Sequence, residues 1–271
     1  MEPPDKSLRV AIVVPGFSRD ADDWAIPAIQ SLVLELAQSH EVTVFSLRYP
    51  PTGRYDVGGV QHLATGGSHF GLRSLAVIWH TVKSIAREDR RRAFDVVHAF
   101  WADEAGLTAV LAGAWLGLPA IITFGGGELT YLPDVDYGTQ GSRIRGRFVR
   151  LAMRRAAALT AGSRYQHQLA IKNGARPEKL HVLPLGVDTK RFSPAEVPVP
   201  ARPVIIQAAS LVPVKNQALL LEVLKLLRAH IPDICLRLVG SGPLEGRLRQ
   251  LAAQANLNHH IIWQEAVPHP A

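Results

Sequence analysis

The chain alternates short, fully apolar runs with longer segments in which apolar residues recur every three or four positions. The short runs are Leu8–Val14, Val42–Leu47, Val96–Phe100, Ala120–Phe124, Leu159–Ala161 and His181–Leu183, rich in Val, Ile and Leu. Runs with no polar alternation predict strands covered on both faces of a sheet. The longer spacing predicts helices over Trp24–Ser39, Leu72–Arg90, Glu104–Leu116, Arg143–Ala157 and Arg164–Asn173. Strands and helices in strict alternation build an α/β fold: a mostly parallel sheet with helices on both sides, of the Rossmann kind.

The pattern then breaks and restarts. Leu180–Pro194, LHVLPLGVDTKRFSP, reads as a short strand followed by a Pro-Leu-Gly-Val-Asp turn. A Pro-rich stretch follows, and then strands at Val204–Ala209, Ile234–Val239 and Ile261–Trp263 alternate with helices at Asn216–His230 and Leu244–Asn256. This predicts a complete N-terminal Rossmann-like domain (1–195), a linker (196–203) and the first part of a second Rossmann-like domain (204–271). A turn of this chemistry between two α/β halves marks a hinge over a cleft, where nucleotide-linked substrates bind. The uncharged stretch Leu107–Phe124 is broken by Gly113, Gly117 and Pro119. At about 1.5 Å per helical residue its helix is too short for a bilayer, so it is read as core.

Composition narrows the partners. With 47% hydrophobic and 20% charged residues the chain is an ordinary globular protein. Its single cysteine, Cys235, lies inside an apolar run and reads as a small buried hydrophobe; no disulfide can form within the chain. The N-terminus, MEPPDKSLRVAIVV, lacks the form of a secretory signal, so a cytoplasmic location is expected. The formal charge of +7 calls for an anionic partner. Nothing has the pattern of a nucleic-acid-binding module, and the scattered histidines, His259–His260 included, lack the companions of a metal site.

Five clusters can carry chemistry. Gly16 follows the first strand, where bare backbone admits a phosphate or sugar; the alternative is a plain strand–helix turn capped by Asp22 or Asp23. Gly125, Gly126 and Gly127 end another strand and are followed by the carboxylate of Glu128; the alternative is a flexible loop. Ala209–Lys215, ASLVPVK, follows the first strand of the second half, with Ser210 in it and Lys215 at or next to a helix start where ammonium and free N–H groups both favour phosphate, or else merely solvated. Gly240 and Gly242 flank Ser241 after the next strand, with Pro243 ready to open a helix. Arg143, Arg147, Arg150 and Arg154 share one helix face beside Ile144, Phe148 and Leu151; they fit an anionic membrane or acceptor, or a solvated face.

Taken in order, DVVHAF (95–100), LPAIITFGGGEL (118–129), AALTAGSRYQHQL (157–169), LHVLPLGVDTKRFSP, SLVPVKNQ (210–217) and LRLVGSGPLEGRLRQLA (236–252) resemble glycosyltransferase family 4, retaining nucleotide-sugar-dependent enzymes of the GT-B fold. The resemblance implies an acceptor-binding N-terminal domain and a donor-binding C-terminal one. It implies that Gly16 lies near the donor phosphates, Lys215 on the diphosphate, Gly240 and Gly242 beside the nucleotide, and Glu128 facing the sugar. The sequence departs from the family at Ser210, where an arginine is usual. It departs also near Phe100 and Gly125, where histidines are frequent, and around Glu265, where glycine is. The paired glutamates that grip the donor would lie beyond Ala271, so weak donor binding by these residues alone is expected. The implied activity is transfer of a sugar from a nucleotide-sugar to a hydroxyl of a glycan, lipid or small molecule, without a metal or other cofactor, in the cytoplasm or at the inner membrane face. The rival readings are a non-catalytic GT-B-like partner protein and a nucleotide-sugar epimerase.

Overall fold

The computed structural model describes residues 7–67 apart from 21 and 24, then 73–194 and 202–267. Trp24 and Leu72, where two helices were expected to begin, and positions 196–201 of the expected linker lie outside the described residues. The chain divides into two compact units, Met1–Val187 and Asp188–Ala271.

The first unit runs β1 (Arg9–Gly16), α1 (Pro27–Leu36), β2 (Glu41–Tyr49), β3 (Gly53–Val57), β4 (Val60–Ala64), α2 (Arg73–Arg91), β5 (Val96–Phe100), α3 (Glu104–Leu116), β6 (Ala120–Thr123), α4 (Arg143–Arg155), β7 (Ala158–Ala161), α5 (Arg164–Lys172) and β8 (Leu180–Val182). Its strands form one sheet in the order β3-β4-β2-β1-β5-β6-β7-β8. All neighbours are parallel except β3 and β4. Ile12 at the centre of β1 stands opposite Val44 on one side and His98 on the other.

The β1 sequence explains why both faces of the sheet are covered. Val10, Ile12 and Val14 point into one core with Ile29 and Val33 of α1. Ala11 and Val13 point into the other with Ile78, Val82 and Ile85 of α2, Val110 of α3 and Val149 and Met153 of α4. A strand buried on alternate sides needs no polar residue at either parity. The uncharged stretch read as core is α3, stopped by Gly117 in the left-handed conformation (φ 72°), and then β6.

Two expectations need correction. The hairpin β3–β4 has no counterpart among the predicted elements; its Gly58–Gly59 turn has φ of +60° and +84°, as a tight two-residue hairpin requires. The first helix begins at Pro27 rather than Trp24, with Ile26 at the cap position, so neither Asp22 nor Asp23 caps it. Proline at the first turn lacks an N–H that would otherwise go unbonded there, which sets the start.

The second unit holds β9 (Val204–Ala208), α6 (Gln217–Arg228), β10 (Cys235–Val239), α7 (Glu245–Gln254) and β11 (Ile261–Gln264), with a parallel sheet in the order β11-β10-β9. Leu221, Leu224, Leu236, Leu238 and Leu248 make its core, and Cys235 is buried in β10. No helix among the described residues is long and apolar enough to cross a membrane.

Candidate functional site

In the first unit the strand order reverses between β1 and β5, because the chain moves outward from β1 in one direction and then returns to build the other. In open α/β sheets the loops at the carboxyl ends of such strands frame the binding crevice. Gly16 lies there, at the end of β1. A Cβ on it would stand 3.3 Å from that of Tyr49, and the next N–H, of Phe17, donates to the Tyr49 carbonyl at 3.1 Å. The backbone is drawn tight against the end of β2.

His62 of β4 holds this turn from beneath. Its Nδ1 lies 3.0 Å from the Ser18 carbonyl and its Nε2 2.7 Å from Ser46 Oγ. A carbonyl only accepts, so Nδ1 carries the proton and Nε2 accepts from the Ser46 hydroxyl. Burial pushes the His62 pKa down from 6.5 to about 4, against the opposing pull of the Ser18 carbonyl. At the outer edge Asp23 accepts from Tyr49 Oη at 2.8 Å and from the Arg19 backbone N–H at 2.9 Å. Burial alone would raise the Asp23 pKa; these bonds and the Arg19 side chain together hold it below the ordinary carboxylate value.

The glycine loop after β6 is ordered by its own glutamate. Glu128 is 1% exposed, and its two carboxylate oxygens accept the N–H groups of Gly125 and Gly126, each at 2.7 Å. The flexible-loop alternative fails, and the carboxylate expected to be on offer to a sugar is committed to the backbone. Burial raises the Glu128 pKa, the three backbone N–H bonds lower it, and nearby Asp103 adds to the rise. Glycine is required here by contact: a Cβ on Gly125 would enter the Trp101 indole, and one on Gly127 would meet Tyr137 Oη at 2.9 Å.

Four charged residues complete this end of the sheet and escaped the sequence reading. Arg48, Asp103, Glu104 and Arg145 line a cavity of about 210 Å³ with Pro15, Leu47 and Ala105. Arg48 Nε donates to Glu104 at 3.1 Å, and Arg145 stands 3.7 Å from Asp103. Burial raises the Asp103 pKa, partly offset by Arg145. The available signal was position: Arg48 ends an apolar strand, and Asp103 and Glu104 follow another, where an open α/β sheet presents its polar groups.

The second unit brings its predicted residues together. Ser210 and Lys215 lie on the loop from β9 to α6, and Gly240 and Gly242 on the loop from β10 to α7. The two loops are joined by backbone bonds from Leu211 N–H to the Ser241 carbonyl (3.0 Å) and from Leu244 N–H to the Leu211 carbonyl (3.2 Å). A Cβ on Gly240 (φ 140°) would enter the Ala209 carbonyl, and one on Gly242 would meet that of Leu211 at 2.5 Å. The glycines therefore admit the neighbouring loop. Lys215 is exposed in a 3-10 turn, Pro213–Lys215, two residues ahead of α6. The Ser210 carbonyl accepts from Gln217 Nε2 at 3.1 Å, which fixes the loop to the first residue of α6.

Arg143, Arg147, Arg150 and Arg154 are all exposed on α4, and none pairs with a carboxylate among the described residues. Arg147, Arg150 and Arg154 line a cavity of about 270 Å³ with Leu151, Asn173 and Gly174. The buried face of α4 is Gly146, Val149, Ala152 and Met153; Ile144 and Leu151, expected on an apolar side, are exposed.

An open sheet with this strand order, followed by a second parallel α/β unit with paired loops at its strand ends, defines the GT-B-like class. Two solved structures share the fold. Sucrose-phosphate synthase from Thermosynechococcus elongatus matches at TM-score 0.68 and 14% identity, over 97% of this chain and 71% of its own. The Anabaena protein HepE, solved with UDP and glucose, matches at TM-score 0.65 and 13% identity, over 96% of this chain and 70% of its own.

The chain belongs to the group 1, family 4 glycosyltransferases: the glycosyl transferase 4-like domain model matches residues 25–186 and the glycosyl transferases group 1 model residues 188–271. A GDP-mannose-dependent alpha-(1-6)-phosphatidylinositol monomannoside mannosyltransferase of Mycolicibacterium smegmatis is 25% identical over 256 residues. The alignment takes in 89% of this chain, which spans 63% of that relative's length.

Proposed function

We propose that the chain carries the acceptor-binding unit and part of the donor-binding unit of a retaining, nucleotide-sugar-dependent glycosyltransferase. The observation that carries this reading is the pair of loops at the carboxyl ends of β9 and β10. They are joined backbone to backbone, kept free of side chains at Gly240 and Gly242, and flanked by exposed Lys215 ahead of α6. A diphosphate placed there meets an ammonium and the free N–H groups of a helix start. The mannosyltransferase relative makes GDP-mannose the first donor to test.

In the reaction, the bond between the anomeric carbon and the diphosphate oxygen breaks, and the electron pair leaves with the nucleoside diphosphate. Lys215 and the α6 N-terminus stabilise that charge as it develops, in place of a metal ion. The acceptor hydroxyl bonds to the anomeric carbon on the face the leaving group vacates, and its proton passes to the departing phosphate oxygen. The first unit holds the acceptor at the ends of β2, β5 and β6, where the Glu128-pinned glycine loop and the Arg48–Glu104 and Asp103–Arg145 pairs stand. The acceptor is a glycan, lipid or small molecule, and Arg143, Arg147, Arg150 and Arg154 of α4, which pair with no carboxylate among the described residues, favour a lipid acceptor at an anionic membrane surface.

Calorimetric titration of the chain with GDP, UDP and ADP tests the donor site. Lys215→Ala removes a charged hydrogen bond worth about 1.5–3 kcal/mol, roughly a ten- to hundredfold loss of affinity. Equal affinity in the variant would remove Lys215 from the site.

A further inference from the structure

Helices α2, α3 and α4 cover one face of the first unit's sheet, with α3 between the other two. Their outward side has an unusual composition. Trp79 of α2 and Trp115 of α3 are 48% and 49% exposed, and their rings stack at 5.3 Å between centroids and 11° between planes. Leu75 and Leu111, each four residues earlier on its helix, are exposed beside them. Two stacked, half-exposed indoles with aliphatic neighbours make an apolar patch of the kind that marks an interaction surface.

The charge around the patch says what covers it. Lys83 lies one turn beyond Trp79, with its ammonium 5.7 Å from that ring, and Arg87 and Arg90 continue the same exposed side of α2. On the far side of α3 stand Arg143, Arg147, Arg150, Arg154 and Arg155 of α4, with Ile144 and Leu151 exposed among them. No carboxylate on the three helices is exposed: Glu88 is buried, while Asp89 and Glu104 are half-buried. Asp89 accepts the Phe94 N–H and Glu104 pairs with Arg48. An apolar, tryptophan-bearing patch on helices whose exposed charges are all basic is the complement of an anionic bilayer surface, where indole rings settle at headgroup depth and each nearby basic residue adds attraction.

We propose that this three-helix face seats on anionic lipid, with the Trp79–Trp115 pair as its interfacial anchor. The proposal rests on the membrane reading of the α4 arginines given above and assigns the apolar contact that the arginines alone do not supply. The partner is a phospholipid surface of negative charge, not a protein and not a free phosphate.

The test uses the full chain with vesicles of phosphatidylcholine alone and of phosphatidylcholine mixed with phosphatidylglycerol, at low and moderate salt. Sedimentation is expected with the mixed vesicles only, and brominated lipid is expected to quench tryptophan emission of the unaltered protein. Trp79→Ala with Trp115→Ala should lower the partition coefficient by about tenfold at both salt concentrations and abolish the added quenching. Parent-like binding by this double variant, or no quenching of the parent, would overturn the anchor. Loss of binding in Arg147→Glu, Arg150→Glu, Arg154→Glu would then leave the arginine reading standing without it. Failure of the parent to bind would end both membrane readings and leave the donor-site titration untouched. A lipid-free dimer that the tryptophan variant dissociates would assign the patch to a second copy and overturn the proposal.

Discussion

His62 turns a loop conformation into a pH dependence. Its two ring nitrogens hold Ser18 and Ser46, so protonating Nε2 would break the bond from the Ser46 hydroxyl inside a buried pocket. The folded pKa, about 4, lies below the ordinary 6.5. The stability tied to a neutral His62 is therefore complete above that ordinary value and is lost as pH falls toward the folded one. The loss amounts to about 3 kcal/mol. Urea unfolding at about pH 7 and about pH 5 should show about 2 kcal/mol of this fall in the parent and a flatter response in His62→Gln; equal slopes would mean that His62 does not couple the loop to pH. Glu128 acts through its bonds to the glycine loop. Glu128→Ala leaves two loop N–H groups without their acceptors and should cost about 1.5–3 kcal/mol, read from thermal unfolding together with faster exchange of the 125 and 126 amides. Unchanged stability and exchange would show that the loop orders itself without the carboxylate.

At the level of elements, the glycines of the second unit are demanded by a neighbouring backbone. Gly240→Ala adds a methyl against the Ala209 carbonyl at a φ of 140° that side chains rarely adopt. It should destabilise the β9–β10 region by about 3 kcal/mol. Hydrogen exchange should rise in 204–264 and stay unchanged in β1–β8; a rise in both units would contradict the local account. The elements that were legible share a physical cause. β5 and α3 have the bounds expected because an apolar strand ends at a polar turn and a helix ends at a left-handed glycine, Gly117. The β3–β4 hairpin was not legible, because Arg54, Asp56, Gln61 and His62 interrupt its apolar pattern and its clearest mark is the Gly58–Gly59 pair alone. The side chains of the acceptor end were only partly legible. Glycines announce a bare backbone, but that Glu128 turns inward to bond them, while Arg48 and Arg145 from distant segments line one cavity, is settled by tertiary contact.

For the whole molecule, the fold and family follow from two units that each repeat the same logic, an apolar parallel sheet with glycine-bearing loops at its carboxyl edge. The proposed division of labour places phosphate at the loops of the second unit and acceptor at those of the first. Fold alone does not assign either, since chemistry resides in the loops. Amide hydrogen exchange of the full chain, with and without saturating GDP or UDP, tests that central claim most directly. New protection is expected at 209–217 and 239–244, lost in Lys215→Ala. Protection confined to the first unit, or none at either loop under saturation, would contradict it.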